Sequence, residues 1–68
     1  MMKFLVVRNK TLVAEIVADE LPHKHDVILF DNNEYVVVNV IHTYSRVEGK
    51  LTNVQEPIVQ VNHIRRIP

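Results

Sequence analysis

Four histidines are the side chains in this chain best suited to bind a metal ion. One residue separates His23 from His25, whereas His42 and His63 stand far from them. An extended His-x-His segment places both imidazoles on one side, but a zinc site requires at least one further converging ligand. The sequence has no cysteine and no HExxH motif, so no sequence motif identifies a further zinc ligand. We therefore predict neither a metal nor another cofactor.

Residues for nucleophilic or acid–base catalysis are equally sparse. Ser45 is the only serine and lacks the flanking glycines of a nucleophile elbow. Gly49 is the only glycine, which excludes a glycine-rich phosphate loop. Asp19 and Glu20 are adjacent carboxylates in a polar segment, where a solvated loop is the simpler interpretation. A chain of 68 residues has little material for a substrate-enclosing pocket beside a core, so the sequence predicts no enzyme.

Aromatic and basic residues raise the alternative of single-stranded nucleic-acid binding. Small barrels bind single strands by stacking bases on aromatic rings and holding phosphates in a basic groove. The candidates are Tyr35, Tyr44, Arg46, Lys50, Arg65 and Arg66. Eight basic and eight acidic residues give zero net charge, however, whereas dedicated nucleic-acid-binding domains are usually strongly basic. Nucleic-acid binding therefore stays open as the second interpretation.

Charge is unevenly distributed along the chain. Residues 1–14 sum to +3, residues 15–34 to −5 and residues 35–68 to +2. The acidic middle segment is suited to attract a basic partner. Alternatively, it is suited to an inhibitor that mimics the negative charge of a nucleic acid. Small size without targeting or catalytic motifs is typical of an accessory or inhibitor protein of a phage or mobile element.

The N-terminal apolar stretch, residues 2–7, is too short for the core of a signal peptide, because Arg8 and Lys10 interrupt it. No other apolar run approaches the roughly 20 residues of a membrane span. A cytoplasmic location is expected, including the cytoplasm of a host cell.

The elements that must position these residues are mainly β-strands. The clearest is a hairpin over residues 26–44, in which a short apolar run precedes an Asx-rich turn and a long β-branched run. Residues 2–8 and 11–18 form a second strand pair, because the two intervening residues begin with Asn9. Residues 11–18 also fit a helical period, but Thr11 is the only nearby helix cap, so a strand is favoured.

The C-terminal third contains two further strands. Gly49 marks a turn before a strand over residues 51–55, and Pro57 interrupts the chain before a short strand over residues 58–61. Asn62 is predicted to begin a short turn over residues 63–66.

Alternation assigns two faces to the long β-branched run. We predict that Val36, Val38 and Val40 face the core, because their set is the more apolar. The opposite face is too apolar for a fully solvated surface, so either the strand bends and hides it or a partner covers it. The candidate protein contacts on that face are Tyr35, Val37 and Ile41.

Five or six short strands in one domain, residues 1–68, predict an all-β barrel that is closed or nearly closed, because closure removes exposed edges. Residues 21–44 resemble the small SH3-like β-barrels: Leu21-Pro22 supplies the loop proline, Asp26 precedes the apolar strand, and Tyr35 opens the next one. His25-Asp26 stands where many of these domains have Gly-Asp. The resemblance implies fold alone, since such barrels serve many functions.

Taken together, these features predict a small non-enzymatic binding module. Its expected mode of action is protein–protein contact, either with a partner protein or with a second copy of itself. An SH3-like barrel offers edge strands and apolar grooves suited to this role.

Overall fold

A computed structural model describes all 68 residues and shows an all-β protein with seven strands and no helix. The strands are β1 (Met2–Arg8), β2 (Thr11–Ala18), β3 (Val27–Phe30), β4 (Asn33–Ile41), β5 (Tyr44–Val47), β6 (Lys50–Asn53) and β7 (Ile58–Arg66). No helix has the length and apolar character that crossing a membrane requires. The prediction of an all-β fold is confirmed.

Five of the strands form one curled, mixed sheet in the order β2-β1-β7-β4-β3. The pairing of β1 with β7 is parallel, and every other pairing is antiparallel. Its edge strands, β2 and β3, do not pair with each other, so the sheet is a half-barrel. The predicted closure of the barrel is therefore wrong, because β5 and β6 pair only with each other and leave the sheet open.

Three two-residue turns connect the antiparallel hairpins, and all have positive φ at both central residues. The φ angles are 49° and 65° at Asn9 and Lys10, 51° and 58° at Asp31 and Asn32, and 51° and 80° at Glu48 and Gly49. This backbone is the type I′ turn, whose twist matches that of the flanking strands. The turns predicted from Asn9, from the Asx-rich segment and from Gly49 are confirmed.

The segment that fitted both a helix and a strand is β2. It runs antiparallel to β1, with Phe4 opposite Ile16 and Val6 opposite Ala14. The tight turn before it returns the chain directly beside β1, so ladder hydrogen bonds satisfy the backbone groups of β2 that face β1. Val13 is an additional residue that forms a β-bulge, which increases the local twist of the sheet.

The core consists of six side chains, two from each of the three central strands. They are Phe4 and Val6 of β1, Tyr35 and Val37 of β4, and Val59 and Val61 of β7. Each pair is separated by one residue, as expected for side chains on one face of a strand. Tyr35 lies 4.7 Å from Phe30, measured between ring centroids, in a stacked arrangement. No polar or charged residue is buried.

The predicted core face of β4 is wrong over the first half of the strand. Tyr35 and Val37 are buried, whereas Val36 lies opposite Asn62 on the other face. Val38 is the additional residue of a β-bulge between Val37 and Asn39, and the bulge shifts the alternation by one residue. Val40 therefore packs against the core as predicted.

Strand β7 is longer than predicted. Instead of ending at Val61 before a turn led by Asn62, it continues to Arg66 along the whole of β4. Ile64 is the additional residue of a β-bulge, after which the pairing continues with Arg65 opposite Glu34. The His63 ring lies edge-on to Tyr35, with 5.3 Å between centroids, and its Nε2 is 2.9 Å from Asn33 Oδ1. These cross-strand contacts hold the C-terminal segment extended.

The loop before β3 is tied to β4 by backbone hydrogen bonds. The His25 amide donates to the Val37 carbonyl at 2.8 Å, and the Val37 amide donates to the Asp26 carbonyl at 2.8 Å. The Asp26 carboxylate accepts a hydrogen bond from the His23 amide at 2.8 Å. These bonds hold His25 at a φ of 80°, in the left-handed region that favours glycine.

Replacing His25 by glycine is expected to stabilise the protein. Relief of left-handed strain outweighs the extra freedom of the unfolded chain by about 0.5–1 kcal/mol. For a domain of this size, that gain corresponds to a rise in Tm of roughly 2–8 °C, measured by thermal unfolding. Lys24→Gly is the control, because Lys24 has no positive φ and should gain nothing. An equal rise in both variants would contradict the assignment of strain to His25.

Candidate interaction surface

Strands β5 and β6 project from the sheet as a separate hairpin, which we call the arm (residues 43–54). Neither strand contacts any strand of the sheet. The arm is attached at its foot, where the Val54 amide donates to the Thr43 carbonyl at 3.3 Å and the Gln55 side-chain amide donates to Thr43 Oγ1 at 3.1 Å. Its tip is the Glu48-Gly49 turn, braced by a 3.0 Å hydrogen bond from Arg46 Nη1 to the Gly49 carbonyl.

The arm gives the protein an elongated shape. The principal extents are 51 × 24 × 19 Å, and the radius of gyration of 13.4 Å exceeds the value of about 11 Å for a compact chain of this length. The accessible surface of 5140 Å² is likewise larger than the roughly 4,400 Å² expected for a compact 7.9 kDa protein. The excess surface follows from an element that packs against nothing else in the chain.

Apolar side chains are exposed on both faces of the arm. The register pairs Tyr44 with Asn53 and Arg46 with Leu51, so these four side chains share one face. Val47 and Val54 lie on the opposite face by alternation. At least half of the surface of each apolar side chain is exposed, up to 63% for Leu51. A lone two-stranded hairpin is marginally stable in water, so a contact that covers these side chains would order the arm.

A groove lies beside the arm's foot, between the β2–β3 loop and the end of β4. Its volume is about 710 Å³. The apolar residues of its wall are Met2, Leu21, Pro22 and Val40, and the polar ones are Asp19, Glu20, His23, Lys24, Asn39 and His42. None of the charged side chains is buried. The groove is thus an open depression of mixed apolar and polar lining with two carboxylates against one ammonium group, able to receive side chains from outside the chain.

The predicted protein-contact residues do not form a surface. Tyr35 and Val37 are buried in the core, at 6% and 0% exposure, and only Ile41 remains exposed, at 38%. The sheet bends and hides this face of β4, which was one of the two explanations offered for its apolar character. The prediction that Tyr35 and Val37 lie at a protein contact surface is therefore corrected, because their own chain covers them.

The predicted nucleic-acid contacts are divided between two ends of the molecule. Tyr44, Arg46 and Lys50 lie on the arm, although Lys50 occupies the face opposite Tyr44 and Arg46. Arg65 and Arg66 end β7, and Arg66 lies about 26 Å along the strand from Ile58, the first residue of β7. Arg65 Nε also pairs with Glu34 Oε1 at 3.2 Å. Because Tyr35 is buried, no surface combines all six candidates.

The histidines and carboxylates are also dispersed. His23 and His42 line the groove, whereas His63 lies at the far part of β7 against Asn33. No group of three His, Asp or Glu side chains is arranged to hold a metal ion. Ser45 is exposed on the arm and does not line the groove that contains Asp19 and Glu20.

Sequence reasoning missed the arm as an interaction element, although a signal was present. Residues 44–54 carry one apolar side chain every third or fourth position, at Tyr44, Val47, Leu51 and Val54. In a hairpin, this spacing places apolar groups on both faces instead of concentrating them on one. A hairpin without one predominantly apolar face gains little free energy from packing against its own sheet, so it stays exposed.

Comparisons of the chain with protein-family models, with curated proteins and with solved structures found no match.

Proposed function

We propose that this protein is a small non-enzymatic binding module that acts through protein–protein contact, with the arm as its contact element. The observation that carries the proposal is the arm itself, which exposes Tyr44, Val47, Leu51 and Val54 and touches no strand of its own sheet. The residues that dominate protein–protein binding are enriched in tyrosine and arginine, and the arm carries Tyr44 and Arg46 on one face. Covering the arm would also remove the cost of leaving its apolar side chains in water.

The composition of the arm favours a protein partner over a nucleic acid. Arg46 and Lys50 are its only basic residues, and Glu48 offsets one of them. Single-strand binding depends on several phosphate contacts along a basic groove. One exposed tyrosine with a net charge of +1 is a small surface for that purpose, whereas four exposed apolar anchors suit a protein.

The sheet is proposed to be an SH3-like barrel that is open on one side. His25 supports this assignment, because it adopts a left-handed backbone where many of the domains it resembles carry glycine. The role proposed for such a module is that of a cytoplasmic accessory or inhibitor protein of a phage or mobile element. Its small size and its single contact element suit a protein that acts by binding to another protein and blocking it.

Site-specific photo-crosslinking tests the proposed contact. A benzophenone amino acid replaces Leu51 on the arm, and the same substitution at Leu29 on β3 serves as the matched control. The two leucines are equally exposed, at 63% and 61%. After irradiation of the native cytoplasm, we expect a discrete protein adduct from position 51 that position 29 does not give.

Two outcomes of the photo-crosslinking would contradict the proposal. Equal adduct yields from both positions would show only nonspecific hydrophobic binding. An adduct at position 51 that nuclease digestion removes would favour the nucleic-acid interpretation, and its yield should then fall steeply with salt.

A further inference from the structure

The arm and the groove carry small net charges of opposite sign. Asp19, Glu20 and Lys24 line the groove and give it a net charge of −1, whereas Arg46, Lys50 and Glu48 give the arm a net charge of +1. The three ion pairs of the protein join Lys3 to Glu15, Lys3 to Glu56 and Arg65 to Glu34, so none uses these side chains. The arm of one molecule and the groove of another therefore have complementary charge.

Both the arm and the groove also present apolar side chains beside their charged ones. Tyr44 and Leu51 share the arm face that carries Arg46, which places two apolar groups beside one cation. The groove presents Leu21, Pro22 and Val40 beside the two carboxylates. A volume of about 710 Å³ accommodates several side chains, and the opening to solvent admits a hairpin from outside.

The combined size of the two surfaces suits a stable dimer. The arm has twelve residues and ten residues line the groove, which gives 22 residues in each copy. Specific protein–protein interfaces use roughly 20–30 residues a side. In a two-fold arrangement each copy contributes both an arm and a groove, so one exchange of arms forms two equivalent arm–groove contacts in the dimer.

We propose that a second copy of this chain is the arm's partner, and that two copies exchange arms so that each arm lies in the other copy's groove. This inference rests on the proposed function and names the partner. Arg46 of one copy faces Asp19 and Glu20 of the other, and Tyr44 and Leu51, on the same face of the arm as Arg46, cover the apolar residues of the groove. Self-association should be concentration-dependent, with a dissociation constant of roughly micromolar or tighter.

Engineered cysteines test the exchange directly, because the natural chain has none. Copies carrying Asn53→Cys on the arm are mixed with copies carrying His23→Cys at the groove under mild oxidation. We expect a mixed disulfide dimer from this pair. The control pair is Asn53→Cys with Asn62→Cys, whose cysteine lies on an exposed part of β7 outside the groove. Equal yields from the two pairs would overturn the exchange.

A charge swap tests the proposed contact between arm and groove independently of the cysteine experiment. Arg46→Glu and Glu20→Arg should each weaken dimerisation by about tenfold, because each places like charges opposite each other. The chain that carries both substitutions should recover most of the affinity, as measured by sedimentation equilibrium. Failure of the double variant to recover would overturn the proposed pairing of arm and groove.

The failure of this inference can be told apart from failure of the proposed function. A strictly monomeric purified protein that still gives the position-51 protein adduct in cytoplasm would overturn the second copy as partner and leave the arm as a contact element. A monomeric protein without any adduct at position 51 would overturn both. A position-51 adduct between two copies in the purified protein supports both.

Discussion

Replacing Tyr35 by alanine is expected to unfold most of the protein at room temperature. Tyr35 is the largest side chain of a six-residue core, and it contacts Phe30 on one side and His63 on the other. Truncation of a buried aromatic residue costs about 3–5 kcal/mol. A chain of 68 residues has a free energy of unfolding of roughly 3–10 kcal/mol. A core of only six buried side chains places this protein in the lower part of that range, so little stability would remain.

Tyr44→Ala is the matched control for this prediction. The two tyrosines differ in environment, since Tyr44 is 55% exposed on the arm. Its replacement should change the free energy of unfolding by no more than about 0.5 kcal/mol, as is usual at exposed sites. Tyr35→Phe keeps the stacked ring and should stay folded. Urea unfolding followed by circular dichroism measures all three variants, and a well-folded Tyr35→Ala protein would contradict the assignment of the core.

Removal of the arm is expected to abolish binding without unfolding the sheet. Residues 44–53 are replaced by Asn-Gly, which joins Thr43 to Val54 through a two-residue turn at the point where their backbones already form a hydrogen bond. Because all the exposed arm anchors except Val54 are lost, affinity for the partner should fall by at least about 100-fold.

The sheet should keep its stability after this change, because the arm contacts none of its strands. The connection between β4 and β7 shortens from 16 residues to eight, and halving a loop lowers its closure cost by about 0.6 kcal/mol. Thermal unfolding should therefore give an equal or slightly higher Tm. Loss of the folded sheet in this variant would show that the arm belongs to the folding unit and contradict its independence.

A point substitution distinguishes the effect on binding of deleting the arm from the effect of removing its apolar surface alone. Leu51→Asp keeps the arm's length and should weaken partner binding, whereas Leu29→Asp at an equally exposed position on β3 should not. Equal effects from both substitutions would indicate that surface charge, instead of the arm's contact, controls binding.

Much of the secondary structure could be predicted from local sequence. Asn9, Asp31 and Asn32 tolerate the positive φ that a two-residue turn requires, and Gly49 adopts it with least strain, so the three hairpins are encoded locally. Strand β2 was also predictable, because the turn before it leaves no room for a helix cap. Local preference and tertiary structure agree at these points.

The buried face of β4 could not be predicted in the same way. Alternation assigns faces correctly only while the ladder is regular, and the bulge at Val38 shifts it by one residue. The bulge depends on how β4 pairs with β7, about 20 residues later in the chain. Ile64 is the additional residue of a second bulge, in β7. That strand was predicted to end early because Asn62 was taken as the start of a turn, whereas pairing along the whole of β4 keeps it extended.

The sequence alone therefore determined the class of fold, the turns and the position of most strands, because backbone preference and apolar periodicity act over a few residues. Only the tertiary structure decided that Tyr35 and Val37 are buried, that the barrel stays open, and that residues 43–54 project as an arm. Those outcomes depend on which strands pair across long separations and on where bulges reset the register. The candidate site lies among these tertiary outcomes, which is why residues chosen by type alone were mostly placed elsewhere.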